Sequence, residues 1–495
     1  MRLATPAVHN LLMLLAGASA TLSFAPFNWP VFALVSVGAA YLLLRHTPGG
    51  VWPGLSFGTG FFGAGVSWVY VSIHYHGGMS VLAAGFLTLL FCLALGLLFA
   101  VQFYLYKRLF KKSNPAGFAA LWLGFEWLRS WFLTGFPWLY LGYGWIDTPL
   151  AHFAPLGGIW LVSSAVVLLA LLIATGIERR RPAYLMAAML LFAGSAAVPT
   201  YPINQQGQAI NVALVQPNIA QSLKWQQSYF EDHLKTLGQM SLEAKDANWI
   251  IWPETAIPRL INTSFEALSP WLSQLEQRHQ ILVSGFPRRE WSEKGQNWIY
   301  LNSLGALTGV PSIYDKQRLV PFGEYIPLEH WLRGAINFFN LPMSSFSLPI
   351  RPTPGLQIGD QQVAGAICYE IAYPELVREG VSADAGLILT LSNDTWFEGS
   401  HAPAQHLQIA RMRALENHRW LIRATNNGLT AVIDPLGNIS ATLADRSSGI
   451  LQSKVWPSHE QTLYQRLGSL PVLLSWLLIL IGALVHARRQ RSLKH

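Results

Sequence analysis

Apolar residues run in long blocks through the first two hundred positions, then in short runs broken by polar residues, until one last block near the C-terminus. The blocks cover roughly 8–23, 28–44, 52–73, 79–106, 115–135, 154–176 and 183–199, and the last lies at about 470–487 (LPVLLSWLLILIGALVHA). Most are about 15–25 residues, the length an α-helix needs to cross roughly 30 Å of hydrocarbon. The pattern predicts a polytopic α-helical membrane bundle with seven helices over 1–200 and an eighth at 470–487, followed by a short tail, 488–495. The first block has the length of a signal peptide. It lacks a small-x-small cleavage site with a polar region behind it, and further blocks follow at once, so a retained helix is expected.

Between 201 and 469 the pattern changes to that of a soluble α/β domain. INVALVQ (210–216), WIIWPE (249–254), ILVSGFP (281–287), VAGAICYE (363–370), GLILTLSN (386–393) and LTAVIDP (429–435) read as strands, several of them buried on both faces. Segments 226–246, 264–279 and 402–418 repeat apolar residues at three- and four-residue steps, the helical period. Strands alternating with helices predict a layered α/β fold.

Composition and charge sharpen this division. Hydrophobic residues make up 52% of the 495 and charged residues 12%, which excludes a disordered chain, and two cysteines exclude a disulfide scaffold. The net charge of +8 would suit a nucleic-acid binder if it were spread over the domain. It is not: residues 201–469 hold 20 Lys and Arg against 23 Asp and Glu. The excess sits in the 45–51, 107–114 and 178–182 loops and the tail, whereas the 24–27, 74–78 and 136–153 loops contain no Lys or Arg. Alternate loops are therefore basic, and the positive-inside rule places 201–469 outside the membrane and the tail in the cytoplasm. The basicity reads as topology, with membrane lipid and no nucleic acid as the expected partner.

Three residues of the outer domain attract notice. Cys368 ends an apolar strand and is the only cysteine outside the membrane blocks. Glu254 follows the strand WII, and Lys316 lies in IYDKQRLVPFGEY. Singly, these read as a small buried hydrophobe, a turn carboxylate and a solvated strand lysine. Together they fit covalent acyl transfer: a thiol needs deprotonation to attack, a carboxylate can take and return the proton, and an ammonium can hold the oxyanion.

The order and setting of the three resemble the nitrilase, or carbon–nitrogen hydrolase, superfamily, whose Glu–Lys–Cys triad sits on an αββα sandwich. The remainder is similar to the apolipoprotein N-acyltransferase branch, through GVSWVYVSIHYHGG (65–78), EWLRSWFLTGFPW (126–138), QSLKW (221–225), VPFGEYIP (320–327), LSNDTWF (391–397) and ARMRALENHRWLIRATNNG (410–428). The resemblance implies an acyltransferase of the bacterial inner membrane with its catalytic domain on the periplasmic side. An acyl chain would pass from a phospholipid, typically phosphatidylethanolamine, to Cys368, and from there to the α-amine of an S-diacylglyceryl apolipoprotein. No cofactor is implied. A chain of about 16 carbons gains ~0.8 kcal/mol for each CH₂ kept in lipid, so a site at the bilayer surface is physically favoured.

The same resemblance implies roles. Glu254 would be the base, Lys316 the oxyanion donor with the backbone N–H of Tyr369, and Glu324 a second glutamate holding Lys316 or the amine. Glu370 would orient the nucleophile or a loop. Trp225, Asn393 and Trp396 would lie on the substrate side. Two positions depart from the family pattern, Glu398 and His418, where glycine is common, and the loop after 393–397 is expected to feel the change. Segment 328–348, with Trp331, Phe338, Phe339, Leu341, Met343 and Phe346, is a candidate apolar lid.

Three further readings come from the residues alone. Glu126 and Arg129 lie three apart in the fifth block, either neutralising each other or offering Arg129 to a lipid phosphate. His401, His406 and His418 lack the spacing of a metal site and read as solvent-facing or hydrogen-bonded histidines, so no metal is expected. Two rivals remain: a membrane-anchored amidase of the same superfamily passing its thioester to water, and a transporter or receptor, which leaves the triad unexplained.

Overall fold

The computed structural model describes residues 5–205, 207–326, 345–382 and 384–492. The chain divides into two units, one of Met1–Tyr70, Ser80–Thr200 and Leu467–His495, the other of Val71–Met79 and Tyr201–Arg466.

The first unit is helical, with main helices Pro6–Ser19, Val31–Leu44, Val51–Val66, Val81–Leu109, Pro115–Leu128, Ala154–Arg179, Pro182–Ala196 and Leu470–Ser492. Among the described residues three helices are long and apolar enough to cross a membrane, Val81–Leu109, Pro149–Arg179 and Leu470–Gln490; Val31–Leu44 and Pro182–Ala196 are apolar but shorter. Helix Val81–Leu109 shows how such a helix packs. Ala84, Thr88, Cys92, Gly96, Phe99 and Phe103 recur at three- to four-residue steps and are buried, while Leu82, Phe86, Leu89, Leu97 and Val101 are exposed. The outer face is thus as apolar as the inner one, as lipid requires, and small residues mark the side where helices touch. A Cβ on Gly58 would stand 2.6 Å from Gly96 Cα, so this crossing needs glycine.

Two apolar blocks outrun their helices. The block 52–73 is one α-helix to Val66, is α-helical again over Val69–Val71, and passes into a π turn at 72–76. The helix of block 115–135 ends at Leu128, and it does not resume across 133–135, where Leu133, Thr134 and Gly135 all take positive φ. Apolarity marks what a segment is buried in, and backbone conformation decides where the helix ends.

The second unit contains two six-stranded sheets. The first is ordered β12-β1-β2-β3-β4-β5 and the second β11-β10-β9-β8-β7-β6. Their strands are β1 Ile210–Gln216, β2 Trp249–Ile251, β3 Ile281–Ser292, β4 Asn297–Ala306, β5 Ser312–Asp315, β6 Leu356–Ile358, β7 Gln361–Ile367, β8 Leu387–Ser392, β9 Leu421–Thr425, β10 Ala431–Ile433, β11 Ile439–Thr442 and β12 Gly449–Val455. The period of two sorts their side chains. Val212 and Leu214 of β1 point into one core with Ile251, Val283, Val363, Ile367, Leu389 and Ile422, which joins the two sheets face to face. Ala213 and Val215 point the other way, onto Leu234 and Leu237 of helix Phe230–Glu243 and Leu272 and Leu275 of helix Phe265–Gln277. Ala364, Ala366 and Ile388 meet Val377 and Val381 of helix Pro374–Ser382 and Leu407, Ala410 and Ala414 of helix Ala402–Asn417. The layers are helix, sheet, sheet, helix. β1–β2–β3 and β7–β8–β9 are parallel, so the chain leaves each set at a common edge, where ligands gather in α/β folds.

Candidate active site

Glu254 leaves β2 after Trp252 and Pro253, and Thr255 behind it has φ +48. The tight turn lies against β3: a Cβ on Gly285 would meet Thr255 N at 2.5 Å and Glu254 Cα at 2.8 Å. Only glycine there lets the turn come close enough to set the carboxylate.

Cys368 follows β7 directly and has φ +54, the left-handed region that L-residues avoid at a cost of about 1–3 kcal/mol. Its neighbours hold it there. Glu370, fully buried, accepts from Ile367 N (2.7 Å) and Tyr314 OH (3.1 Å) with one oxygen. With the other it accepts from Gln317 N (2.6 Å) and Arg318 N (3.0 Å). One carboxylate thereby ties the Cys368 turn to the loop that carries Lys316. Burial pushes the Glu370 carboxyl up to about 7, against Lys316 and the three backbone N–H groups. On the other side His406 bridges Cys368 O (Nε2, 3.1 Å) and Asp394 (Nδ1, 3.1 Å), and Arg423 reaches Asp394 at 2.6 Å. Arg423 and His406 overcome burial and hold the Asp394 carboxyl well below the usual range, while burial and Arg423 push His406 down.

Lys316 is 1% exposed, and its Nζ lies 2.8 Å from Glu324 Oε1 and 3.5 Å from Glu254 Oε1. Asn302 of β4 joins the same two carboxylates, its Nδ2 donating to Glu254 Oε1 at 3.0 Å and Glu324 Oε1 at 2.9 Å. Glu324 Oε2 accepts from Val320 N at 2.9 Å. Burial would lower the ammonium, but Glu324 and Glu254 win and raise it well above an ordinary lysine. Lys224 is a second buried lysine here. Its Nζ donates to Glu254 O at 2.9 Å, and burial pulls it down to about 8 against the charges of Glu254 and Cys368. The Cys368 thiol is 3.5 Å from Ser392 Oγ, whose own proton goes to Asp394 Oδ1 at 2.7 Å. Burial, then Glu254, push the thiol up to about 12, with Lys316 opposing. A neutral thiol, a carboxylate and a fixed ammonium thus share one pocket, the requirements for base-assisted attack with an oxyanion held in place.

The structure brings Glu254, Lys316, Cys368, Glu324 and Glu370 together, with Tyr369 next to the thiol and its ring edge-on to Tyr373 at 5.3 Å. Trp225 and Trp396 pack with Tyr325 on Leu319 and Phe346, and Trp225 Nε1 is buried with no hydrogen-bond partner among the described residues. His76 packs edge-on to Trp396 at 5.4 Å. Asn393 is a brace: its Nδ2 donates to Gln221 at 2.9 Å, and its Oδ1 accepts from Thr395 at 2.8 Å and Asn426 at 3.3 Å, so its polar atoms are engaged within the loops. Arg129 belongs to the helical unit. It is buried, its NH1 donates to Trp138 O at 3.1 Å, Glu126 Oε1 is 3.8 Å away, and its guanidinium faces Phe61, Phe62 and Tyr140. Of the two readings for this pair, the contacts are those of mutual neutralisation rather than of an arginine offered to a phosphate.

Both departures have a physical account. His418 takes φ +46 at the end of helix Ala402–Asn417, the left-handed cap position glycine favours, and its Nε2 lies 3.2 Å from Pro202 O. Glu398 is paired with Asn427 Nδ2 at 3.0 Å, and the following Gly399 supplies the positive φ, +71. The candidate lid 328–348 lies outside the described residues except for its last four, of which Phe346 is buried. Asn302, Lys224 and the His406–Asp394–Arg423 group escape sequence reasoning because nothing in YLNSL or QSLK distinguishes a buried polar residue from a surface one.

A family model described as the apolipoprotein N-acyltransferase N-terminal domain matches residues 16–172, and one described as carbon-nitrogen hydrolase matches residues 211–463. The apolipoprotein N-acyltransferase of Pseudomonas syringae pv. tomato is 43% identical over 497 residues, 98% of each chain. That of Vibrio vulnificus is 38% identical over 499 residues, 96% of each. Among solved structures, Saccharomyces cerevisiae Nit3, a member of the nitrilase superfamily, aligns with 55% of this chain and 97% of its own at 18% identity and a TM-score of 0.38.

Proposed function

Because the chain belongs to the apolipoprotein N-acyltransferase family, we propose that the pocket around Cys368 performs that family's acyl transfer through a thioester. The protein is an acyltransferase that N-acylates lipoproteins, with lipid and lipoprotein as its substrates. In the first half-reaction the Cys368 sulfur attacks the ester carbonyl of a phospholipid, phosphatidylethanolamine in the simplest case, while Glu254 takes the thiol proton. The oxyanion is held by Lys316 and the Tyr369 backbone N–H. As the carbon–oxygen bond breaks, Glu254 returns the proton to the departing glycerol oxygen, and lysophospholipid leaves. In the second half-reaction the α-amine of an S-diacylglyceryl-cysteine attacks the thioester, Glu254 takes the amine proton, and the thiolate leaves and is reprotonated. Glu324 and Asn302 position Lys316 and Glu254, Glu370 positions both loops, and Trp225 and Trp396 border the acyl chain.

In this reading the helices of the first unit, with Leu470–Ser492, make eight crossings of the inner membrane. The domains are a bundle over 1–200, a periplasmic catalytic domain over 201–469, a closing helix at 470–487 and a cytoplasmic tail at 488–495. The single observation that best supports the chemistry is Lys316 Nζ, 2.8 Å from Glu324 and 3.5 Å from Glu254, with its charge acting on the Cys368 thiol. The test supplies purified protein with phosphatidylethanolamine vesicles and a diacylglyceryl-cysteine peptide. The expected products are one N-acyl chain on the peptide and one lysophospholipid for each. Free fatty acid with unmodified peptide would favour a hydrolase instead.

A further inference from the structure

A second site lies in the helical unit, at helix ends far along the chain from Cys368. Residues 45–46, 106–107, 110–113 and 178–179 line an open cavity of about 460 Å³. Buried Tyr106 and Phe110 form part of its wall, and Arg45, Lys107, Lys111, Lys112 and Arg179 also line it. The walls are fixed. Lys107 Nζ donates to Leu44 O at 3.1 Å, Asn114 N donates to Tyr106 OH at 3.0 Å, and Tyr41 OH is hydrogen-bonded to Ser113 Oγ. Among the described residues the one acid lining it is Glu178. Its Oε1 pairs with Arg45, and its Oε2 is buried with no hydrogen-bond partner among the described residues.

Two needs follow from elementary electrostatics. With Arg45 paired to Glu178, Lys107, Lys111, Lys112 and Arg179 still leave an excess of positive charge around one cavity, which calls for an anion. A buried carboxylate oxygen without a donor calls for a hydroxyl or N–H group. A phosphodiester that carries a hydroxyl a few atoms away meets both, and basic pockets between helix ends on the cytoplasmic side are where anionic headgroups bind. We propose that this cavity binds the headgroup of an anionic glycerophospholipid, its phosphate against Lys111, Lys112 and Arg179 and a headgroup hydroxyl donating to Glu178 Oε2. The proposal rests on the membrane placement given above and uses no step of the chemistry at Cys368, so either can fail alone.

The test is native mass spectrometry of the full-length protein in detergent, titrated with phosphatidylglycerol, phosphatidylethanolamine, phosphatidylcholine and glycerol 3-phosphate. Phosphatidylglycerol should bind at least tenfold more tightly than either zwitterionic lipid. Each basic side chain near an anionic headgroup is worth roughly fivefold, so Lys111→Gln/Lys112→Gln/Arg179→Gln should weaken it by about 100-fold. Lys112→Gln alone, an exposed side chain whose loss leaves the fold intact, should weaken it about fivefold. Equal binding of phosphatidylcholine, or equal binding by the wild type and both variants, would overturn the site. Displacement of the lipid by equimolar glycerol 3-phosphate would overturn the lipid as its source and leave a soluble phosphate ester.

Discussion

Replacing Glu254 by Gln isolates the proton transfer on which the proposed mechanism depends. The Cys368 thiol is pushed up to about 12, so at pH 7 only about one molecule in 10⁵ would hold a free thiolate, a cost of roughly 7 kcal/mol at 1.36 kcal/mol per pH unit. An ordinary cysteine near 8.5 would be ionised to a few per cent. A preformed thiolate is thus a poor account of reactivity here, and the proton must leave as the sulfur attacks. Gln keeps the shape and an oxygen for Asn302 Nδ2, now 3.0 Å away, but it cannot accept the proton. Acyl-cysteine formation, followed by rapid quench after mixing with phospholipid, should fall about 10²–10⁴-fold at pH 7, the usual contribution of a positioned base. The pH profile gives the sharper signature. The wild-type rate should be nearly flat from pH 6.5 to 8.5, whereas the variant, left with the thiolate route, should rise about tenfold per unit. Removing the Glu254 charge also lowers the thiol pKa, so iodoacetamide should alkylate the variant faster than the wild type. A variant within threefold of the wild type at pH 7, with the same flat profile, would refute the assignment of Glu254 as base.

Other perturbations test the supporting residues. Lys224 is pulled down to about 8 from 10.5, so its charged form costs the fold roughly 3 kcal/mol below pH 8, and that cost is relieved as pH rises from 8 to 10.5. The melting temperature of the wild type should therefore climb relative to Lys224→Met over that window, and parallel curves would show that the lysine is not buried as described. Gly285→Ala places a Cβ 2.5 Å from Thr255 N; it should cost about 1–3 kcal/mol by chemical denaturation and slow acylation through the displaced Glu254 turn. His406→Phe removes the 3.1 Å bond to Cys368 O; kcat should drop about tenfold with the phospholipid KM unchanged, and a change in KM alone would place His406 in binding instead.

The split into an apolar helical part and an α/β part, and the three candidate residues Glu254, Lys316 and Cys368, were legible in the sequence because each rests on a local pattern. An apolar block of membrane length, a strand such as VAGAI ending in cysteine and a carboxylate after WII are contiguous signals. What was not legible depends on contacts between distant segments. Asn302 joins Glu254 to Glu324 only because β4 lies two places from β2 in the sheet. Lys224 reads as a surface lysine until its turn is seen to bury it against a backbone carbonyl 30 residues on. β12, with the polar pattern GILQSKV, becomes a strand by pairing with β1 more than 200 residues earlier. Arg129 was left open between two readings. A charge in an apolar block signals importance, but whether it serves a ligand or a partner is decided by Glu126, Trp138 and three rings that only the fold assembles.

The central claim is that Cys368 carries the acyl chain between donor and acceptor. Its most direct test is the intact mass of the purified protein after incubation with phosphatidylethanolamine alone. The account predicts one acyl group in place of the thiol hydrogen, localised to Cys368, released by neutral hydroxylamine and discharged to the α-amine when a diacylglyceryl-cysteine peptide is added. An adduct that persists in Cys368→Ala, or acyl transfer by that variant at the wild-type rate, would contradict it.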